Sequence, residues 1–160
     1  MVRIGVTGHM NITPETARLV YDEIVGHLVD AGDPADLVGV SCIARGADSV
    51  FAQAVLDRGG RLEVVLPSRN YRERKVKQDH AELFDELLRR ADTVRVMDFN
   101  DAGADAYEAA NQAVLGSCDR LIAVWDGQAG ERSGTGTVVA LAQQKELPVE
   151  IVWPDGAVRA

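Results

Sequence analysis

Short apolar runs alternate with longer amphipathic segments along the whole chain. In the longer segments, apolar residues recur with the 3.6-residue period of a helix facing a core. The short runs are rich in Val, Ile and Leu and are bounded by Gly, Pro or Asp, which is typical of strands. The pattern predicts six strands: Val2–Val6, Asp36–Ile43, Arg61–Leu66, Thr93–Met97, Leu121–Trp125 and Val149–Trp153.

The first helix has a clear start signal. Thr13 can cap it, and Pro14 suits the first helical position. Further helices are predicted over about Asp48–Arg58, Ala81–Arg90 and Ala106–Leu115, and from the Gly- and Ser-rich loop Gln128–Thr137 through Gln144. On the helix Ala81–Arg90, the apolar residues Leu83, Phe84, Leu87 and Leu88 could belong to the core or to a dimer face.

Strands separated by helices need crossover connections, because tight turns cannot join parallel neighbours. Such crossovers are right-handed and cover both faces of the sheet. The chain of 160 residues therefore predicts one domain, residues 1–160. Its expected fold is a three-layer, Rossmann-like α/β fold with a mainly parallel sheet of about six strands.

Charge and cysteine usage limit the function. The chain has 17 Lys and Arg residues against 25 Asp and Glu residues, a net charge of −8. Such a surface argues against coating nucleic acid or an anionic membrane. The N-terminal apolar run is too short for a signal peptide, and no run reaches the length of a membrane span. Cys42 and Cys118 lack CxxC partners and the histidines lack metal-site spacing, so we expect reduced thiols, no metal and a cytoplasmic protein.

Candidate chemistry lies in the turns that follow the strands. Ligands bind an open parallel sheet outside the carboxyl ends of its strands, where the strand order reverses. Three such turns contain glycine beside polar residues: Thr7-Gly8-His9, Ala44-Arg45-Gly46-Ala47-Asp48, and Trp125-Asp126-Gly127 followed by Ser133-Gly134-Thr135-Gly136-Thr137. We expect them to meet at one sheet edge.

These residue types suit a phosphorylated ligand. Glycine lets the backbone approach closely, and helix N-termini attract phosphate. Arg45 could form a charge-assisted pair with that phosphate. Thr135 and Thr137 offer hydroxyl donors, and Asp126 could accept from a ribose or a base amino group.

Each residue also has a structural reading. Any of the glycines could be only a turn residue. Asp48 fits a helix cap better than a ligand contact, and Trp125 fits a core or pocket wall better than a stacking platform. His9 fits either role. Cys42 is expected to be a buried small apolar residue.

One basic cluster stands out in this acidic chain, between Arg69 and Lys77. It follows the third strand and could carry cations over an anionic ligand, or could be a solvated segment that balances nearby acids. Several nucleotide motifs are absent. The sequence has no GxxxxGK[ST], no GxGxxG after the first strand and no GxSxG, which disfavours Walker-type NTPases, ordinary NAD or FAD binding and α/β-hydrolases.

The ordered set Gly5-Val6-Thr7-Gly8-His9, Ala44-Arg45-Gly46-Ala47-Asp48, Leu121–Gly127 and Ser133-Gly134-Thr135, with Asn111 and Asp119 before strand five, resembles the SLOG superfamily. That group contains the Lonely-guy phosphoribohydrolases, molybdenum-cofactor carrier proteins and DNA-processing protein A. The resemblance spans nearly the whole chain and implies a Rossmann-like domain that binds a nucleotide or nucleotide derivative, often as a homodimer.

Two departures bear on activity. Stand-alone relatives usually have Arg after the first Gly-His, where this chain has Met10. The phosphoribohydrolases carry PGGxGTxxE, whose glutamate acts on the N-glycosidic bond. The equivalent stretch is Arg132–Ala140, and the two registers place Val139 or Ala140, or else Thr137 or Val138, at the glutamate position. Neither register supplies a carboxylate, so no catalytic residue is predicted.

The sequence therefore favours a non-catalytic carrier or sensor for an AMP-like, ADP-ribose-like or molybdopterin-type ligand. The alternative is a nucleoside-monophosphate phosphoribohydrolase that recruits Asp126 or Asp48 as its acid. A DNA-handling module is disfavoured by the net charge. In the favoured arrangement, phosphate lies on the Gly134–Thr137 turn with Arg45 alongside, and the sugar or base extends toward Gly8, His9 and Asp126. Gly46, Asp48 and Gly127 complete the predicted site.

Overall fold

The computed structural model describes residues 1–129 and 134–160. Six parallel strands form one sheet in the order β4-β3-β2-β1-β5-β6. They are β1 (Val2–Gly8), β2 (Leu37–Ser41), β3 (Arg61–Leu66), β4 (Thr93–Val96), β5 (Arg120–Val124) and β6 (Val149–Val152). The predicted Rossmann-like α/β fold is therefore confirmed.

Helices cover the sheet on both faces and include two that the sequence pattern left partly unassigned. They are α1 (Pro14–Asp30), α2 (Ala47–Arg58), α3 (Tyr71–Lys75), α4 (Gln78–Arg90), α5 (Ala104–Gly116) and α6 (Thr135–Gln144), with a short 3-10 helix at Pro34–Asp36. The polar segment between residues 69 and 80 contains all of α3 and the first turn of α4. Most residues of this segment are charged or polar, so it shows no apolar stripe with a helical period.

The apolar residues of each layer explain the packing. Val20, Ile24 and Leu28 of α1 are fully buried in one cluster with Phe51 of α2 and Ile4 of β1. On the opposite face, α5 packs on Val40 and Val65, and α6 packs on Leu121. Burial of this kind stabilises a protein by about 25 cal/mol per Å² of apolar surface. The sheet is thereby held rigid beneath the turns at its carboxyl edge.

The start of α1 follows the prediction. The Thr13 side chain accepts a hydrogen bond from the Thr16 backbone N–H at 3.1 Å, and Pro14 occupies the first helical position. On α4, Phe84 and Leu87 are fully buried against β3, whereas Leu83 is exposed. Two of the four apolar positions on α4 are thus core residues.

The turn between β2 and α2 corrects two predictions. β2 ends at Ser41 because Ile43 adopts a positive φ of 47°, which a strand cannot accommodate. α2 begins at Ala47, and Gly46 is its N-cap. The interpretation of Asp48 as the helix cap is therefore wrong, because Asp48 is the second residue of α2 and follows the N-cap by two positions. No helix in residues 1–129 and 134–160 is long and apolar enough to cross a membrane.

Candidate functional site

A cleft of about 550 Å³ opens at the carboxyl edge of the sheet, where β1 neighbours β5. The strand order reverses at this place: the chain builds outward from β1 to β4 and then returns to the other side of β1. Ligands of α/β sheets bind at such a switch point. The volume is in the range of small-molecule sites.

Gly8 ends β1 at the floor of the cleft. A Cβ on this residue would lie 2.4 Å from the Ala47 Cβ and 2.7 Å from the Val124 Cβ. Glycine is therefore required for β1 to pass between the start of α2 and β5. The cleft above it is a consequence of that close packing.

His9 is buried, and its imidazole faces the turn after β5. Its Nε2 lies 3.2 Å from the Asp126 backbone nitrogen and 3.2 Å from the Asp126 Oδ1. Burial is the main cause that lowers the pKa of His9, and the Arg159 guanidinium adds to it. A neutral ring accepts the Asp126 N–H at Nε2, so His9 links the ends of β1 and β5. The ring also packs edge-on against Trp153, with 5.6 Å between centroids.

Gly46 lets the turn after β2 pack closely against the turn after β1. Its φ is 81°, and a Cβ would lie 2.5 Å from the Met10 carbonyl oxygen and 2.6 Å from the His9 carbonyl oxygen. The next residue, Ala47, donates its N–H to the His9 carbonyl at 3.1 Å. Gly46 lines a shallow groove beside α1 rather than the cleft.

Asp48 reaches the cleft from the second position of α2. Burial raises the pKa of its carboxyl to about 7, although the Ala44 backbone N–H donates to it and opposes the shift. It faces Cys42 and Tyr71, whose pKa values are also raised by burial. The thiol and the phenol therefore stay protonated, and Asp48 is the group here that exchanges a proton near neutral pH.

Arg45 does not line the cleft. It lines a neighbouring cavity of about 260 Å³ and the groove beside α1, and its guanidinium lies 3.3 Å from the Asp79 carboxylate. The structure thus separates Arg45 from the Gly134–Thr137 turn, beside which the sequence placed it.

Asp126 and Gly127 form the turn after β5. The Asp126 carboxylate accepts the Gln128 N–H at 3.0 Å and lies 3.5 Å from the Arg159 guanidinium. The Gln128 N–H is the main cause that lowers the pKa of Asp126, and His9 and Arg159 contribute. Gly127 has a φ of 84°, as a tight turn requires. Neither residue lines the cleft, but the Asp126 carboxylate contacts two residues that do, His9 and Arg159.

The start of α6 forms the opposite wall. Gly134 is the N-cap and provides no side-chain cap, and Gly134, Thr135 and Gly136 line the cleft. The first amides of a helix have no intrahelical acceptor and attract anions. Thr137 is exposed and lies outside the cleft lining. Arg132 and Ser133 lie outside the described residues.

Trp125 is a wall of the cleft, as predicted. Its Nε1 donates to the Gln128 carbonyl at 2.9 Å, and its ring would meet a Cβ on Gly136 at 3.3 Å. The ring therefore holds the first turn of α6 against the turn after β5.

Two cleft residues were not indicated by the local sequence: Tyr107 of α5, and Arg159 near the C-terminus. Tyr71 and Lys75 of α3 belong to the basic segment that the sequence placed near this edge, and both line the cleft. Arg159 is held beside the cleft by an antiparallel β-bridge to Ile12 and by a hydrogen bond that its guanidinium donates to the Asn11 side chain. These are contacts between distant parts of the chain, and no periodicity records them.

Of the two further residues on which the SLOG resemblance depends, Asn111 lines the cleft and Asp119 does not. Asn111 lines the cleft from α5. Asp119 fixes the start of β5, because its carboxylate accepts the Arg3 N–H at 2.9 Å. No cluster that could hold a metal ion occurs among residues 1–129 and 134–160.

Solved structures share this arrangement of strands and helices. DNA processing protein A from Streptococcus pneumoniae superposes with a TM-score of 0.72 at 21% identity over 98% of this chain. The chain shares the Rossmann-like fold of this protein. The Helicobacter pylori protein of that name gives 0.67 at 18% identity over 99% of this chain and 68% of its own. The molybdenum cofactor carrier protein of Chlamydomonas reinhardtii gives 0.59 at 19% identity over 94% of this chain and 75% of its own.

These likenesses establish the Rossmann-like fold alone. This chain spans about half, 52%, of the pneumococcal protein's chain. No protein-family model matches the sequence, and none of the curated proteins matches it. The function must therefore be argued from the cleft itself.

Proposed function

We propose that the protein binds a nucleotide or nucleotide-derived phosphorylated ligand in the switch-point cleft, as a carrier or sensor. The observation that carries the proposal is the start of α6, which opens onto the cleft without a side-chain cap from Gly134 and without an acidic residue in its first turn. An anion is favoured at such a position by the helix dipole and by the backbone amides.

The charges around the cleft support the same ligand. Lys75 and Arg159 line it, and Asp48 is the one acid among its described lining residues. With a pKa of about 7, Asp48 carries only part of a negative charge at neutral pH. The described lining thus holds two cations, of which Arg159 is also paired with Asp126, in a protein whose net charge is −8.

The non-catalytic reading depends on what α6 lacks. No residue of this helix is acidic, so the glutamate of the phosphoribohydrolase motif has no counterpart on it. A carrier role also agrees with the fold, since the Chlamydomonas reinhardtii protein that shares it is a molybdenum cofactor carrier. An AMP-like, ADP-ribose-like or molybdopterin-type ligand fits a cleft of this size, and cytoplasmic homodimers are the proposed form of the protein.

A second candidate is the phosphoribohydrolase reaction with Asp48 as general acid. Asp48 lines the cleft and has a pKa of about 7, which suits proton transfer at neutral pH. In this reaction Asp48 would protonate the leaving base of a nucleoside monophosphate while water attacks the anomeric carbon. Asp126 is a weaker candidate, because its pKa is lowered and its carboxylate is engaged with Gln128, His9 and Arg159.

We propose a small ligand rather than a nucleic acid, although DNA processing protein A from Helicobacter pylori binds single-stranded DNA. In the basic segment, Arg69 pairs with Asp98 and Arg72 pairs with Asp85. These two cations are thus balanced by acids, whereas proteins that follow a nucleic-acid backbone keep their cations free along a groove.

The test is calorimetric titration of the purified protein with AMP, ADP-ribose, a molybdopterin source and unphosphorylated adenosine. We expect a phosphorylated member to bind and adenosine to bind at least tenfold more weakly. At a hundred times its Kd, the ligand should stabilise the fold by about 2.7 kcal/mol. Equal affinity for adenosine and AMP would contradict a phosphate site.

Chromatography of the AMP samples separates the two candidate functions. The carrier proposal predicts no free adenine. Adenine released by the wild type and lost in Asp48→Asn, with AMP binding retained, would favour the hydrolase.

A further inference from the structure

The cavity that contains Arg45 adjoins the cleft. The two share Met10, Asn11, Tyr71 and Lys75 as lining residues. We call the smaller cavity, lined in addition by Arg45, Val76, Lys77 and His80, the annex. A ligand in the cleft can therefore extend past Tyr71 into the annex without leaving the protein surface.

The annex has a strongly positive lining. Arg45, Lys75 and Lys77 surround about 260 Å³, and no acidic residue is among its described lining residues. Arg45 has one acidic neighbour, Asp79, and both side chains are largely exposed. Such an exposed pair is weak and can open to admit another anion.

Buried side chains fix the shape of the annex. His80 is 8% exposed, and its Nε2 lies 3.0 Å from the Ile43 carbonyl oxygen and 3.3 Å from the Ser49 Oγ. Tyr71 is 6% exposed and packs against Phe84 and Tyr107. These contacts hold the start of α4 against the turn after β2 and anchor α3 through Tyr71, so the backbone that carries the cations is fixed by buried side chains.

We propose that the annex binds a second anionic group of the same ligand. This inference rests on the proposed function, which places the first anion at the start of α6. The start of α6 follows β5, whereas Arg45 follows β2 and Lys77 lies beyond β3. Neighbouring strands are about 4.8 Å apart, so the two anion positions are separated by roughly 10–14 Å. The ligand class is a nucleotide derivative with anionic groups at both ends.

The test compares three probes on the full chain. AMP carries one phosphate end, and ATP carries more charge at that same end. The adenosine dinucleotide phosphorylated at both its 5′ and 3′ ends, pApAp, carries phosphates at two ends. We expect pApAp to bind at least tenfold more tightly than AMP, and ATP to gain less than pApAp.

Variants assign the gain to the annex. Arg45→Gln and Lys77→Gln should each weaken pApAp about tenfold and leave AMP affinity within twofold, since neither residue lines the cleft. Arg74→Gln is the matched control: it removes one exposed cation from α3 that lines neither cavity, and pApAp affinity should not change.

The outcomes separate this inference from the proposed function. Binding of AMP with no gain for pApAp, or equal losses for AMP and pApAp in Arg45→Gln, would overturn the annex site alone. A wild type that binds neither probe would remove the proposed function and the annex with it. Affinity that keeps rising for a ten-nucleotide single strand would overturn the small-ligand class in favour of nucleic acid.

Discussion

Gly46, before α2, and Asp48, at its second position, contribute to this region by different physical means. Gly46 fixes the backbone, because a positive φ and two carbonyl oxygens leave no room for a side chain. Asp48 supplies a titratable group, because burial in the cleft raises its pKa. Their sequence neighbourhood suggested ligand contact for both, but only Asp48 lines the cleft.

Gly46→Ala is expected to destabilise the fold by about 2–3 kcal/mol, since the new Cβ meets the Met10 carbonyl and the residue must keep a positive φ. The matched control is Gly26→Ala in α1, where a Cβ would have nothing within 4 Å. This control should gain about 0.5–1 kcal/mol from helix propensity. Chemical denaturation of both variants measures the difference, and equal stabilities would contradict the strain assigned to Gly46.

Asp48→Asn is expected to stabilise the protein increasingly as the pH rises from 5 to 8. The folded pKa of about 7 exceeds the ordinary value of 3.8, so the unfolded state ionises first and wild-type stability falls over this window. The cost above pH 7 is at most about 4 kcal/mol, and it disappears below pH 3.8, where both states are protonated. Melting curves at pH 5 and pH 8 test this.

The control for that series is Asp155→Asn, which changes an exposed aspartate outside the cleft. Its effect on the melting temperature should be small and similar at both pH values. A stability gain for Asp48→Asn that does not grow with pH would mean that the Asp48 carboxyl is not desolvated in the folded protein.

At the scale of the elements, periodicity predicted the strands and most helices because their apolar faces are continuous. β3 lies at Arg61–Leu66, as predicted, since Gly60 and Pro67 bound a run rich in apolar residues. α3 was not predicted. It has five residues, four of them charged, and it is held by burial of Tyr71 rather than by an apolar stripe.

The turns show where local sequence stops being informative. Strand-end glycines indicated the sheet edge at which the cleft lies, because the carboxyl ends of parallel strands must meet there. Which side chains enter the cleft depends on helix starts and on distant contacts. Arg45, just before α2, lines the annex, whereas Asp48, at the second position of α2, lines the cleft. The bridge between Ile12 and Arg159 brings a cation from near the C-terminus to the cleft.

The whole molecule combines a net charge of −8 with a cleft that is lined by Lys75 and Arg159. The net charge of −8 lowers nonspecific attraction to polyanions, while Lys75, Arg159 and the start of α6 favour an anion inside the cleft. Net charge alone predicted only the first of these properties. The second depends on where the fold places a few cations, which composition does not record.

Phosphate binding at the start of α6 can be tested with one pair of variants, Gly134→Asp and Gly134→Asn. The φ of −75° and ψ of 175° at this N-cap suit both side chains, and either should cap α6 and maintain or slightly raise the melting temperature. They differ in charge alone. Calorimetric titration with AMP should show at least tenfold weaker binding to Gly134→Asp than to Gly134→Asn, a difference of about 1.4 kcal/mol. Equal AMP affinities of the two folded variants would contradict the phosphate site.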